Sequence, residues 1–205
     1  DYQDWLAERG VDATAIYDPG RTIGPGVDAD VHQTTWAGDR AKRFMRAHAD
    51  RPWFLSINLF DPHPPFDPPA DYLARFDRAA MPGPVFAPSD LDHQRRLFEI
   101  DQQSRVAVDP RRGDPDSDLY ELTAPRPEGA THDTPPETWD GKQVRACYHA
   151  MIALIDDMVG DLMGVLDETG QRRDTLVLFM SDHGEMLGDH GLIYKGARFY
   201  EGLVR

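Results

Sequence analysis

Residues 175–196 read TLVLFMSDHGEMLGDHGLIYKG, and the way this stretch changes character decides how the rest of the chain is read. Thr175–Met180 is a compact apolar run of the length expected for a buried strand. It gives way at Ser181 to a Gly-punctuated loop that holds two Asp-His pairs, Asp182–His183 and Asp189–His190, and reaches Lys195. The chain has 8 histidines, so two in one short loop call for a reason. Asp182 offers a hard anionic oxygen and His183 a ring nitrogen, and a turn at a strand end can aim both at one point. Gly184 permits that turn. Oxygen ligands suit Ca²⁺, Mg²⁺ or Mn²⁺, and an added imidazole moves the preference toward a transition metal. Two ligands do not complete a site, and the competing reading is a capped polar turn.

Working outward, Val144, Tyr148, Met151, Ile155, Met158, Leu162 and Leu166 recur at helical spacing up to Gly170, a natural stop. The sequence TPPE at Thr134–Glu137 has the form of a capping box just upstream. Cys147 lies inside this helix and reads as a buried thiol. The same helix-then-strand order occurs earlier. A helix over 34–50, capped by Thr34 or Thr35 and burying Trp36, Phe44 and Met45, ends before Pro52. WFLSINLF (Trp53–Phe60) then reads as a strand covered on both faces. Alternating helices and strands predict an α/β sheet flanked by helices, whose ligands gather at the carboxyl ends of its strands. Both unusual loops, DPHPPF after Phe60 and SDHGEMLGDHG after Met180, sit there. In the first, Pro62, Pro64 and Pro65 restrict the backbone around His63, whose imidazole could donate a proton to a leaving group. Its structural alternative is a histidine bonded to Asp61 or to nearby backbone. In the second, a returning loop could bring the Lys195 ammonium toward an oxyanion.

The chain has 205 residues, 40% of them hydrophobic, enough for the core of one domain. Its formal charge of −14 argues against a broad grip on nucleic acid. No apolar run approaches the ~20 residues of a membrane-spanning helix. The lone cysteine excludes an intramolecular disulfide framework and leaves the compartment undefined. Residues from about 87 to 140 are polar and rich in turn formers, read either as a substrate-facing insertion or as a surface loop. The chain starts without Met and stops at EGLVR, so it is expected to be part of a longer protein.

The successive stretches LSINLFDPHPPFDPP, MIALIDDMVGDLMGVLDETG and TLVLFMSDHGEMLGDHGLIYKGARFYEGLVR resemble, in order, landmarks of the type I sulfatases of the alkaline phosphatase superfamily. The resemblance covers most of residues 34–205. It implies an alkaline-phosphatase-like α/β fold, a mixed sheet with helices on both faces, incomplete at both ends, with residues 1–205 as the middle of a catalytic domain. It also implies hydrolysis of sulfate esters, or of phosphonate monoesters or phosphodiesters in related branches. Such enzymes use a formylglycine made from a C/S-x-P-x-R motif that this sequence lacks, so the nucleophile is expected outside it. A non-catalytic, sulfatase-like binding module is the remaining alternative. Asp182 and His183 match the later pair of metal ligands, for one divalent ion, Ca²⁺ first and Mn²⁺ or Mg²⁺ as alternatives. Lys195 matches the lysine that contacts the substrate anion, and His63 the histidine that serves the leaving oxygen. Asp189 and His190 are expected either to shape the rim or touch substrate, with His190 as the substrate contact, or equally to order the loop. The expected partner is a small-molecule or carbohydrate sulfate ester.

Overall fold

The structure, a computed structural model, describes residues 1–16, 22–120, 136–196 and 199–204. Over these residues the helices are α1 (Tyr2–Ala7), α2 (Ala13–Ile16), α3 (Gln33–Ala47), α4 (Ala70–Leu73), α5 (Pro88–Arg95), α6 (Gln102–Arg105), α7 (Gly141–Glu168) and α8 (Glu201–Val204). Helix α7 follows the apolar spacing of its sequence: Val144, Met151, Ile155, Met158, Leu162 and Leu166 are all buried. Its cap is Asp140, whose carboxylate accepts from the Lys142 N–H at 2.9 Å. The capping box expected at Thr134–Glu137 falls partly outside the described residues. Cys147 is a buried free thiol, as its apolar setting suggests.

Helix α3 lies along α7. Ala41 and Met45 join Ile155, Met158, Leu162, Val165 and Leu166 in one apolar cluster. The cap of α3 corrects the sequence reading. His32, not Thr34 or Thr35, precedes the helix, and its Nδ1 accepts from the Thr34 N–H at 3.2 Å. The threonine hydroxyls are engaged elsewhere: Thr34 Oγ1 donates to Asp61 Oδ2 at 2.7 Å and Thr35 Oγ1 to the Ala29 carbonyl at 2.5 Å.

Residues 53–60 lie on the α3–α7 cluster. Trp53, Leu55, Ile57 and Leu59 are half-buried against it, and the residues between them are exposed. This period of two marks an extended chain with one covered face. Among the described residues, the coverage on both faces expected from the apolar run is not found: Phe54 is 88% exposed. Residues 175–180 are non-helical, with Leu176, Leu178, Phe179 and Met180 exposed. Gln171 ties the starts of both segments together: its Oε1 accepts from the Trp53 indole at 3.3 Å and its Nε2 donates to the Ala49 carbonyl at 3.2 Å. Among the described residues the β-pairing is one isolated parallel bridge, Ile23 to Phe66.

A second cluster joins the loops that leave these segments. Phe66 packs with Val144, Cys147 and Met151 of α7 and with Ile193 and Tyr194. The region from residue 87 onward is less irregular than its composition suggests, because α5 and α6 form within it. Buried Gln94 on α5 accepts from Ser104 Oγ at 2.9 Å and donates to the Tyr200 hydroxyl at 3.2 Å. Arg78 binds Asp116 at 2.8 Å and also Asp114 and the cap residue Asp140, joining this region to the start of α7. Residues 121–135 of the expected insertion lie outside the described residues.

Candidate active site

The loop after residue 180 turns at once. Ser181 Oγ donates to the His183 carbonyl at 2.6 Å, and the His183 N–H donates to Asp182 Oδ1 at 2.9 Å. Gly184 is required by a close approach: its N–H donates to the Leu203 carbonyl at 2.8 Å, and a Cβ there would stand 2.0 Å from the Gly202 carbonyl oxygen. His183 Nδ1 lies 2.7 Å from the Gly184 carbonyl oxygen. A carbonyl only accepts, so Nδ1 carries a proton and Nε2 is the ring nitrogen left for a ligand. That Nε2 stands 3.7 Å from Asp182 Oδ2, whose side chain is 89% exposed. A ring nitrogen fixed through its other N–H, beside a free carboxylate oxygen, is the donor chemistry that divalent cations use in proteins. The residues therefore fit a metal. Among the described residues no group of three or more His, Cys, Asp or Glu side chains forms around them.

His63 Nδ1 carries a proton for the same reason. Its Nδ1 lies 2.8 Å from the Pro64 carbonyl oxygen, its N–H donates to the Phe60 carbonyl at 3.0 Å, and its ring packs on Phe60 at 4.8 Å. Nε2 is thus the nitrogen available to a substrate. The backbone alternative considered from sequence describes how the ring is held and leaves this nitrogen unused.

Lys195 is half-buried and follows Tyr194, whose ring meets Phe66 at 6.1 Å. Phe66 also meets Tyr148 of α7 edge-on at 6.3 Å. The loops bearing His63 and Lys195 are therefore joined through Phe66, three residues beyond His63.

Asp189 and His190 are turned to other partners. Asp189 Oδ1 accepts from the Val85 N–H at 2.7 Å and from Arg145 Nη2 at 2.5 Å, so it orders the loop. The His190 N–H donates to the Val85 carbonyl at 2.8 Å, its ring stacks on Tyr200 at 4.7 Å, and its Nδ1 is 3.4 Å from Asp90 Oδ1.

Three groups have surroundings that the sequence reading did not foresee. Glu185 is buried, and that burial pushes its carboxyl up to about 7 against the pull of the Met186 N–H and the Lys195 charge. Tyr148 is raised by burial and then by the negative charges of Glu185 and Asp182, which places its phenol in the field of the loop. Asp61 has a side chain only 6% exposed; burial raises its pKa, while the hydrogen bond from the Thr34 hydroxyl opposes the rise. Burial lowers the pKa of His32. Its Nδ1 already accepts from the Thr34 N–H, so His32 is neutral and its 3.6 Å approach to Asp61 is not an ion pair.

The family model for Sulfatase matches residues 14–205. The chain is 34% identical, over 86% of its length, to the multifunctional alkaline phosphatase superfamily protein PehA of Trinickia caryophylli, of which it covers 32%. It is 26% identical over its whole length to an arylsulfatase of Clostridium perfringens, covering 38% of that protein. Among solved structures, the phosphonate monoester hydrolase of Agrobacterium radiobacter superposes with a TM-score of 0.69 at 29% identity, over 98% of this chain and 39% of the other. The chain thus spans about a third of the length of the curated relatives it matches. Its fold class is α/β. With a family match over nearly its whole length, the chain belongs to the sulfatase family.

Proposed function

We propose that the protein carrying this chain hydrolyses sulfate esters of a small molecule or carbohydrate, with a divalent cation, Ca²⁺ first and Mn²⁺ or Mg²⁺ as alternatives, bound in part by Asp182 and His183. The observation that carries this reading is the Nε2 atom of His183 held beside Asp182 Oδ2 at 3.7 Å. A cation bound there supplies positive charge for the oxygens of a tetrahedral anion. Lys195 adds a second positive charge from the loop packed against Phe66. His63, with Nδ1 fixed, presents Nε2 for proton transfer to the departing alcohol oxygen. His190 and residues 87–140 are assigned to the substrate rim. The nucleophile, a formylglycine in this reading, comes from outside these residues. The proposal includes a mixed sheet with helices on both faces, in which residues 53–60 and 175–180 are strands.

A second reading, hydrolysis of phosphonate monoesters, is favoured by the 29% identity to a phosphonate monoester hydrolase structure. Parallel assays of 4-nitrophenyl sulfate and 4-nitrophenyl phenylphosphonate, with and without chelator, test both. Chelator-sensitive turnover of the sulfate, abolished by Asp182→Ala, is expected. Faster turnover of the phosphonate selects the second reading, no turnover of either overturns the hydrolase assignment, and turnover that survives Asp182→Ala overturns the role of Asp182 in holding the cation.

A further inference from the structure

Among the described residues, the hydrogen bonds of His63 lie within residues 60–64: its N–H to Phe60 and its Nδ1 to Pro64. The ring is well oriented within its turn, so its place in the site depends on what fixes the turn. One end is fixed by Phe66, fully buried, whose N–H donates to the Thr22 carbonyl at 2.8 Å. At the other end Phe60 is half exposed and holds little. The next residue, Asp61, is buried and accepts the Thr34 hydroxyl at 2.7 Å, beside the neutral ring of His32.

An apolar side chain would fill this buried position without the desolvation cost of a carboxylate. What the carboxylate adds is direction, because a hydrogen bond to one hydroxyl fixes position more narrowly than apolar contact does. Thr34 and His32 form the N-terminal end of α3, which packs along α7, so Asp61 ties the turn to the rigid helical layer.

We infer that Asp61, held by Thr34 and His32, is a positioning residue that sets where His63 meets the leaving oxygen. The inference rests on the ester-hydrolase reading above and on His63 as the proton donor. In that step the S–O or P–O bond to the alcohol breaks, its electron pair stays on oxygen, and oxygen takes the Nε2 proton of His63, which enters as the imidazolium and is left as the neutral ring with its proton on Nδ1. A displaced donor matters most for leaving groups that need the proton. A displacement near 1 Å can cost about 10²-fold.

The test uses the complete metal-loaded protein and a series of substituted phenyl esters, of whichever class it turns over, spanning good and poor leaving groups. His63→Ala is expected to steepen the dependence of kcat on leaving-group pKa, with losses of about 10²-fold or more on the poorest. Asp61→Leu and Thr34→Val, which each remove the hydrogen bond, should steepen it in the same sense, about tenfold on poor leaving groups and little on good ones. Thr34→Ser, which keeps the hydroxyl, should restore the parent slope. If Asp61→Leu does not fold, the Thr34 pair decides alone. Equal losses on all esters, or none, in Thr34→Val would overturn the positioning role. An unchanged slope in His63→Ala would instead overturn the assignment of His63 as the acid, and the inference with it.

Discussion

The His183 Nε2 atom and the Asp182 carboxylate face each other at 3.7 Å because the histidine's other nitrogen is committed to the Gly184 carbonyl. Adjacent residues thus present two donors without help from a distant side chain. Metal content of the complete protein, measured by elemental analysis after purification without added metal, should be about one equivalent. Asp182→Ala and His183→Ala should each bring it to background with the far-ultraviolet CD unchanged. Metal retained in both variants would remove the pair from the site.

Arg145 reaches from α7 to Asp189 Oδ1 at 2.5 Å and to the Leu187 carbonyl at 3.4 Å. Both members of the pair are largely buried. Arg145→Ala should cost about 1–2 kcal/mol in denaturant unfolding, because among the described residues the carboxylate keeps only the Val85 N–H. Hydrogen exchange should rise over residues 186–191 first. A uniform rise over α7 would point to helix damage instead.

Gly38 lets α3 approach α7: a Cβ at that position would stand 2.6 Å from Met158 Cγ. Gly38→Ala gains about 1 kcal/mol of helix propensity and meets an overpacking cost of about 1–3 kcal/mol, so a small net loss is expected. Met158→Ala alone should cost about 2–5 kcal/mol. Together they should destabilise by less than their sum, since the truncated Met158 makes room for the new methyl. Strict additivity would show that the two helices separate independently of this contact.

The Asp157 carboxyl on α7 is held below its ordinary 3.8 by the Tyr72 hydroxyl at 2.7 Å and then by Arg75 at 3.1 Å. A depressed carboxylate pKa contributes stability above the unfolded value, and that contribution disappears as pH falls through the folded one. Tyr72→Phe should therefore cost about 0.5–1 kcal/mol at neutral pH, a figure already reduced for a partly exposed carboxylate. The difference from the parent should close as pH falls below 3.8. A deficit that is constant down through that range would mean that the hydroxyl acts through packing alone.

Much of this was legible because the informative residues are neighbours in sequence. Helix α7 repeats its apolar spacing over about six turns, and Asp182 and His183 are adjacent, so local pattern suffices for both. The cap of α3 was misplaced because Thr34 spends its hydroxyl on Asp61, 27 residues away. Asp61 and Glu185 look like any loop carboxylates until long-range packing removes them from water. The covered face of Trp53–Phe60 was legible in the alternation of Leu55, Ile57 and Leu59 with polar Ser56 and Asn58, and was masked by the apolar Phe54 and Phe60 on the exposed side.

That bare face carries a hazard. Residues 54–60 and 176–180 expose Phe54, Phe60, Leu176, Leu178, Phe179 and Met180 on segments with no ladder partner among the described residues. Unpaired, β-prone, uncharged runs of this length are templates for edge-to-edge aggregation and fibril growth. The chain's net charge of −14 opposes such association at low ionic strength, and salt screens that repulsion. Self-association of the 205-residue polypeptide should accordingly become more severe as salt is added, and Phe179→Lys or Leu178→Lys should relieve it.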